Sequence, residues 1–268
     1  MAHTPGAGRQ TEGAKEGAEN EYPMDEQPTK KLVDTWTPQR AMFIHAHPDD
    51  VDFSAAGTAA KWALGGCHVV YVILTDGNAG SHDPAMTKER LSRIRRTEQE
   101  AAAAVAGVER CLFLGYHDGL LEPTLAVRKQ LVRLIREHRP DTVVCGDPRQ
   151  YFSGSTYINH PDHRAAARAA VEAVFPAAEM NLLYPDMAEE GLRGHKPNFV
   201  YISTGQDPDC YVDVSDTIEL KIEALRQHQS QLADWDPEPW IRERAAQVGK
   251  DAGCAYAESF RRMTLKPI

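Results

Sequence analysis

Residues 41–75 read AMFIHAHPDDVDFSAAGTAAKWALGGCHVVYVILT, and this stretch decides the fold. Residues 41–46 form a short apolar run of the kind that makes a buried strand. Residues 68–75 are rich in β-branched side chains, which favour a second strand. Between them, residues 55–64 have helical character and end at a Gly-Gly pair, a common helix stop. A strand, a helix and a strand in this order predict the start of a parallel sheet.

The same alternation continues along the chain. Further helices are predicted where a threonine cap or a proline precedes apolar residues at helical spacing, and further strands where short β-branched runs occur. The helices span residues 87–106, 124–139, 161–174, 216–230 and 237–248, and the strands span 111–114, 142–145, 198–203 and 211–214. We therefore expect an α/β fold with a Rossmann-like, largely parallel sheet that is flanked by helices and followed by a C-terminal extension.

Composition sets the expected domain organisation and excludes one class of partner. Residues 1–37 are polar and rich in Gly, Pro, Glu and Lys, so we expect a flexible N-terminal tail followed by a single α/β domain over residues 38–268. With 30 Lys+Arg against 39 Asp+Glu, the net charge is −9. This negative balance argues against a nucleic-acid partner, because phosphate neutralisation requires clustered basic residues.

Targeting signals and cysteines bear on the location of the protein. A membrane span would require about 18 consecutive apolar residues, and the sequence contains no such run, so no membrane span is expected. The chain start lacks a basic region followed by an apolar one, and the five cysteines are widely spaced without a C-x-x-C pair. Reduced thiols in a cytoplasmic protein fit these features best. The sequence leaves the oligomeric state open.

Two related motifs follow predicted strands. HPDD occupies residues 47–50, directly after the first strand, and HPDH occupies residues 160–163, after the strand at 142–145. Ligands of α/β sheets sit beyond the carboxyl ends of the strands, so both motifs are placed where a site forms. Imidazole nitrogens and carboxylate oxygens suit Zn²⁺, and a catalytic zinc has three protein ligands and one open position. His160 and His163 share one face of a helix start.

Each motif also has a purely structural interpretation. A single histidine at a strand end is usually a surface residue, and an Asp-Asp pair before a helix often caps it. The coincidence of two His-Pro-Asp units at the edge where α/β sheets build their sites favours a metal site. Trp235 and Trp240 either cover a pocket or pack in the core, and we expect the core.

Together with residues elsewhere in the chain, the two motifs resemble the LmbE/PIG-L family of metal-dependent N-acetylglucosaminyl deacetylases. The resemblance covers roughly residues 40–235, with its elements in the family's order. Besides the two motifs, it rests on Thr75-Asp76-Gly77, Gly80, Arg95, Glu98, Leu114-Gly115, Asp118-Gly119, Lys221, His228 and Ser230-Gln231. Tyr157 stands near the second motif, but its spacing is one residue longer than in relatives, and we assign it no role.

The resemblance implies roles for the motif residues. His47, Asp50 and His163 would hold a zinc ion, with Fe²⁺ as the alternative metal. Such an ion lowers the pKa of its bound water towards about 7 and polarises an amide carbonyl. Asp49 would be the general base that takes the proton as this water attacks, and His160 would stabilise the oxyanion or donate a proton.

Three further residues receive implied roles. Asp162 would be a carboxylate behind the metal that orients a neighbouring histidine. Arg95 and Asp118 would grip the sugar hydroxyls. The alternatives are that Arg95 is a solvated helix residue paired with Glu98, and that Asp118 is a turn residue before a glycine.

The implied activity is metal-dependent hydrolysis of the amide of an N-acetyl or N-acyl glucosamine unit on a small-molecule glycoconjugate, releasing the free amine and acetate or a fatty acid. Candidate substrates are a GlcNAc-inositol of mycothiol assembly, a GlcNAc-bearing thiol precursor, a glycopeptide-antibiotic pseudoaglycone of the teicoplanin type and a chito-oligosaccharide. The acidic tail and the tryptophan-containing C-terminal segment incline us slightly towards a specialised substrate of antibiotic biosynthesis.

Two alternatives remain open from the sequence. One is an amidase that acts on a thiol conjugate of the mycothiol type. The other is a non-catalytic, metal-containing α/β binding protein. A nucleotide-binding version of the latter is disfavoured, because no G-x-G-x-x-G follows the first strand.

Overall fold

The central element of the fold is a sheet whose strands come from the whole length of the described chain, which in the computed structural model comprises residues 32–204 and 206–266. In that part of the chain, eight strands form this sheet and two more form a short hairpin, β6–β7. The strands are β1 (Leu32–Val33), β2 (Arg40–His45), β3 (His68–Thr75), β4 (Arg110–Tyr116), β5 (Thr142–Gly146), β6 (Phe152–Ser153), β7 (Tyr157–Ile158), β8 (Phe199–Ser203), β9 (Cys210–Asp213) and β10 (Ala257–Thr264).

Helices connect most of these strands. They are α1 (Asp50–Ser54), α2 (Ala56–Leu64), α3 (Lys88–Val105), α4 (Leu125–His138), α5 (Pro161–Glu172), α6 (Pro185–Glu189), α7 (Ile218–Arg226), α8 (Gln229–Leu232) and α9 (Glu238–Ala252). The threonines predicted to cap the third and fourth helices do so: Thr87 and Thr124 each accept a hydrogen bond from a first-turn amide. Among the described residues, none of these helices combines the length and apolarity that crossing a bilayer requires.

The strand order is β1-β9-β10-β8-β5-β2-β3-β4. Strands β8, β5, β2, β3 and β4 are parallel neighbours, and β10 is antiparallel to both β8 and β9. The predicted α/β class with a largely parallel, helix-flanked sheet is therefore confirmed.

Apolar side chains of the central strands point alternately to two cores. Met42 and Ile44 of β2 pack with α4 and α5 on one face, whereas Phe43 packs against Trp62 of α2 on the other. A strand that is covered on both faces has no polar side to expose, which explains why residues 41–46 read as a continuous apolar run.

The last residues of the expected N-terminal tail belong to the folded domain. We expected the tail to extend through residue 37, but β1 pairs in parallel with β9, and the buried Asp34 accepts hydrogen bonds from Tyr201 and Arg262. Within the described residues, regular sheet structure thus begins at Leu32. A two-residue strand is too short to show a period, and its partner lies far along the chain, so local pattern could not reveal it. The rest of the expected tail, residues 1–31, lies outside the described residues.

The C-terminal segment also differs from the prediction. It supplies β10, which the sequence did not predict, and Phe260 of this strand is fully buried. Adjacent arginines at 261 and 262 interrupt the apolar pattern of this strand. The helix predicted over residues 216–230 is also two helices. α7 ends at Arg226 and α8 begins at Gln229, with Gln227 and His228 between them.

The strand order creates the crevice that holds the site. From β2 the chain moves outward to β3 and β4, and then returns to place β5 on the other side of β2. The carboxyl ends of β2 and β5 thus flank a topological switch point, where helices and loops diverge and leave space for a ligand.

Candidate active site

The crevice at the ends of β2 and β5 opens into a cavity of about 520 Å³. Both His-Pro-Asp motifs contribute to its walls. The sequence-predicted residues that line it are His47, Asp49, Asp50, Arg95, Asp118, His160 and His163. The remaining one, Asp162, is fully buried behind His47. The fold therefore brings all eight predicted residues to one place.

Asp49 has an unusual backbone conformation, with φ 102° and ψ −28°. A non-glycine residue in such a conformation costs on the order of 1–3 kcal/mol, and such residues cluster at active sites. Two side chains of α3 hold it. Gln99 Oε1 accepts a hydrogen bond from the Asp49 amide at 2.8 Å, and Arg95 Nη2 donates to the Asp49 carboxylate at 3.1 Å. Because Arg95 and Gln99 are four residues apart on one helix face, α3 fixes both ends of Asp49.

The charge on Asp49 is set by burial and by Arg95. Burial raises the pKa of the Asp49 carboxyl, the Arg95 guanidinium lowers it, and the balance puts it at about 6. Asp49 is therefore mostly ionised at neutral pH, but it is a stronger base than a solvated aspartate. A buried carboxylate of this basicity suits proton transfer near neutral pH.

The Arg95 guanidinium donates its hydrogen bonds to other groups of the protein. Besides Asp49, its guanidinium donates to the carbonyl oxygens of Pro48 at 2.6 Å and Gly77 at 3.1 Å, and the side chain is almost fully buried. The resemblance implied a grip on sugar hydroxyls, whereas this geometry ties the first motif to the loop after β3. The alternative, a pairing with Glu98, is absent from the described contacts, since Glu98 binds Ser230 instead.

His47 lies at the centre of a carboxylate cluster. Its Nε2 is 3.0 Å from Asp118 Oδ1 and 3.3 Å from Asp162 Oδ2, and its Nδ1 is 3.5 Å from Asp50 Oδ2. Burial alone would lower the pKa of His47, but the charge of Asp50 and the hydrogen bonds to all three carboxylates raise it to about 12. This surrounding favours positive charge, which a divalent cation would supply.

Asp118 and Asp162 are both held by backbone amides. Asp118 accepts from the Ala79 amide at 3.2 Å, and Asp162 accepts from the amides of Gly119 at 2.7 Å and Leu121 at 3.1 Å. Burial would raise the pKa of Asp118, but the hydrogen bond and charge of His47 lower it to about 2. Two ionised carboxylates therefore face one ring nitrogen of His47, as in sites where a carboxylate orients a ligand histidine.

The two histidines of the second motif make different contacts. His163 Nδ1 is 2.9 Å from Asn159 Oδ1, and since an amide oxygen only accepts, Nδ1 carries the hydrogen. His163 Nε2 then faces Asp50 Oδ1 at 3.0 Å. His160 caps α5, and its Nδ1 accepts from the Asp162 amide at 3.2 Å, which leaves the hydrogen of a neutral ring on Nε2.

Among the residues that the structure describes, two groups of side chains have the spacing to hold a metal ion. The ligand atoms of His47, His160 and His163 lie within 4.8 Å of one another, and so do those of His47, Asp118 and Asp162. Neither group contains Asp50, and the hydrogen bonds favour a third set that does. Nε2 of His47 is directed at two carboxylates, and Nδ1 of His160 is used at the helix cap. The Asp50 carboxylate, by contrast, lies 3.5 Å from His47 Nδ1 and 3.0 Å from His163 Nε2. This nitrogen and oxygen set fits a zinc-type ion.

Sequence reasoning assigned no role to the residues that support the motifs. Gln99 donates to Asp52 Oδ2 at 2.8 Å, and His228 Nε2 lies 2.8 Å from the same oxygen. All three side chains are fully buried, so a polar network runs from α7–α8 through α1 to the Asp49 amide. The i, i+4 spacing of Arg95 and Gln99 was a signal for this face of α3, while Asn159 carried none.

Two expectations about aromatic residues also change. Trp235 and Trp240 are 46% and 40% exposed, so the expectation that they pack in the core was wrong. Tyr157, which received no role, lines the cavity.

Comparison with known proteins agrees with this geometry. A family model described as PIG-L, GlcNAc-PI de-N-acetylase, matches residues 42–174. Diacetylchitobiose deacetylase of Thermococcus kodakarensis is 35% identical over 226 residues, covering 83% of this chain and 82% of its own length. The 1D-myo-inositol 2-acetamido-2-deoxy-alpha-D-glucopyranoside deacetylase of a Nocardioides species is 27% identical over 263 residues, covering 74% and 85% of the two chains.

A solved structure extends the match to three dimensions. N,N'-diacetylchitobiose deacetylase from Pyrococcus horikoshii superposes with a TM-score of 0.78 at 33% identity, and the match covers 85% of this chain and 84% of that one. The resemblance drawn from the two His-Pro-Asp motifs is therefore confirmed: the chain belongs to the PIG-L family of de-N-acetylases.

Proposed function

We propose that this protein hydrolyses the acetamide of an N-acetylglucosamine unit on a small glycoconjugate, with a metal ion, most simply Zn²⁺, held by His47, Asp50 and His163. The single observation that carries the proposal is the placement of Asp49. Its carboxylate is held in a strained turn beside these three residues, in a cavity lined by both motifs. The names of the relatives, which are deacetylases of GlcNAc compounds, supply the substrate class.

The metal supplies two things when bound: it lowers the pKa of water and polarises the amide carbonyl as a Lewis acid. The protein's own residues do the rest. Asp49, ionised at neutral pH and aligned by Arg95 and Gln99, accepts the proton as water attacks the carbonyl carbon. The C–N bond then breaks as the amine nitrogen takes the proton that Asp49 accepted from water, and acetate leaves.

His160 stabilises the negative oxygen that develops as water attacks the amide carbonyl. Burial and the charge of His47 lower the pKa of His160, so its ring is neutral at pH 7. With Nδ1 accepting from the Asp162 amide, Nε2 carries the hydrogen and can donate it to the oxyanion. One such donor contributes about 3 kcal/mol to transition-state stabilisation.

Asp162 and Asp118 position His47 in this account. Their carboxylates receive the Nε2 side of the ring, which leaves Nδ1 for the metal. Asp118 also lines the cavity, and we propose that it accepts a hydrogen bond from a sugar hydroxyl there.

Metal removal and restoration test this function. We expect the chelator-treated protein to release no amine from GlcNAc or N,N'-diacetylchitobiose and to regain activity with added Zn²⁺. Matched N-acyl glucosamine thiol conjugates in the same assay test the amidase alternative, which predicts faster release from the thiol compounds. A protein that binds metal but releases amine from none of these substrates would instead be the non-catalytic binding protein.

A further inference from the structure

A second cavity adjoins the one described above. It has a volume of about 680 Å³ and lies between α1, the β6–β7 hairpin, α9 and β10. The two cavities have five lining residues in common, namely Phe53, Ser54, Gln150, Tyr157 and Ser203. A ligand that enters the catalytic cavity therefore has continuous space to extend towards α9.

Aromatic rings form one wall of this second cavity. The Phe53 ring lies 6.0 Å from the Trp240 ring in an edge-to-face contact and 6.5 Å from Trp235. Trp240 is 40% exposed, so part of its indole faces open space. Phe53 belongs to α1, which begins at Asp50, and this links the position of the aromatic wall to the metal-binding motif.

The other walls are polar and nearly neutral. Lys221 and Glu258 are both buried and form a 2.5 Å ion pair with each other, so neither offers a free charge. Arg244 stacks at 5.3 Å from the Trp240 ring, and among the described residues no carboxylate pairs with it. Ser203 Oγ, at the junction of the two cavities, is buried without a hydrogen-bond partner in the described part of the chain.

These features distinguish between kinds of ligand. A fatty-acyl chain would need a continuous apolar lining, which Lys221, Glu258 and Arg244 interrupt. An anionic group would find a single exposed cation, Arg244, and would approach the Glu258 carboxylate as well. A neutral polyhydroxylated ring fits better, because its C–H face can stack on an exposed indole while its hydroxyls reach polar walls.

We propose that the second cavity binds the sugar ring attached to the reacting N-acetylglucosamine, with Trp240 as its stacking surface and Arg244 and Ser203 as hydrogen-bond donors. The inference rests on the proposed function for the placement of the first ring. It makes α9 the element that selects a disaccharide or longer saccharide over free N-acetylglucosamine.

Binding to a catalytically inactive protein tests the subsite without relying on turnover. In metal-loaded Asp49→Asn protein, titration calorimetry should show that N,N'-diacetylchitobiose binds at least ten-fold more tightly than N-acetylglucosamine. Adding Trp240→Ala should remove most of this difference, and Arg244→Gln, which keeps the helix and most of the side-chain volume, should reduce it. Lys250→Gln is the matched control, since it removes a positive charge from an exposed site of α9 outside the cavity. It should keep the full difference.

Turnover separates failure of the subsite from failure of the proposed function. In the protein with Asp49 intact, the ratio of kcat/KM for the disaccharide to that for N-acetylglucosamine should fall on Trp240→Ala. Tighter disaccharide binding without amine release would overturn the proposed function and leave the subsite standing. Equal affinities for the two sugars, no binding of either, or equal weakening of both by Trp240→Ala would overturn the subsite.

Discussion

His160 uses its two ring nitrogens for different tasks, and this makes it separable from the metal ligands. Nδ1 is committed to the helix cap and Nε2 is free to donate into the cavity. His47 and His163, by contrast, direct one nitrogen each at Asp50 and the other at an oxygen of a second residue. The HPDH sequence alone does not distinguish its two histidines, whereas their hydrogen-bond partners do.

We expect His160→Ala to lower kcat by on the order of 10²–10³-fold while leaving one metal ion per chain, because an oxyanion donor is lost and no ligand is. His160→Gln retains an N–H donor and should lose less. Metal analysis beside steady-state kinetics checks this. Loss of metal in both variants would instead show that His160 is a ligand in the set with His47 and His163.

Burial and Arg95 together set the basicity of Asp49, which gives activity a defined pH dependence. The carboxylate must be ionised to accept a proton, and burial raises its pKa to about 6. We therefore expect kcat/KM to fall as the pH drops through about 6. A bound cation would lower the midpoint of this pH–rate profile, because positive charge favours the ionised carboxylate. Since the guanidinium of Arg95 lowers the pKa, Arg95→Gln should move the midpoint to higher pH. A pH–rate profile that is unchanged by this substitution would contradict the role.

The sequence could predict the motif residues because each carries its chemistry locally, in a tetrapeptide beside a strand end. It could not predict Asn159, Asp52 or His228 as supports, because their roles arise from side chains that meet only after folding. Arg95 was identified as a candidate, but its hydrogen-bond partners were not predicted. Its neighbour in sequence, Glu98, is bound to Ser230, and its hydrogen bonds run to carbonyls 47 and 18 residues away.

At the scale of elements, the loop after β3 is shaped around the Arg95 guanidinium of α3. Gly77 has φ +61°, and a Cβ there would lie 2.6 Å from Arg95 Nη1. A side chain at this position would therefore push the guanidinium away from Asp49. The glycine is needed both for its backbone conformation and for the close approach of the arginine.

We expect Gly77→Ala to lower kcat/KM substantially, by ten-fold or more, because Asp49 loses its alignment. Gly66→Ala is the matched control: Gly66 also has positive φ, at +87°, but a Cβ there would meet nothing within 4 Å. Both variants should lose stability through backbone strain, by roughly 1 kcal/mol or more. Denaturant unfolding and kinetics together test the point, and equal activity of the two variants would refute it.

Elements with a local signal were the predictable ones. Strands β2 and β3 are buried on both faces and read as unbroken apolar runs, and α3 and α4 begin at threonine caps. Strands β1 and β10 lack such a signal. The first is two residues long. The second carries adjacent arginines at 261 and 262, and it pairs antiparallel with strands whose partner residues lie 44 to 65 positions earlier.

At the scale of the whole molecule, the net charge of −9 includes a cluster of carboxylates at the site. Four carboxylates, from Asp49, Asp50, Asp118 and Asp162, converge on His47 and its neighbours at the sheet edge. Such a concentration of negative charge is costly without a cation, so binding of a divalent ion and stability of the site should be linked. The second cavity, lined by a balanced ion pair and one arginine, contributes little to this charge.

Two adjacent aspartates divide the work of the site in this account: Asp50 holds the metal, and Asp49 accepts the proton. The most direct test measures bound zinc per chain and amine release from N,N'-diacetylchitobiose in Asp49→Asn and Asp50→Asn, two isosteric changes one residue apart. We predict that Asp49→Asn keeps one zinc ion per chain and loses at least 10²-fold in kcat, the scale of general-base catalysis, whereas Asp50→Asn loses the zinc. Full activity in Asp49→Asn, or equal loss of zinc in both variants, would contradict the account.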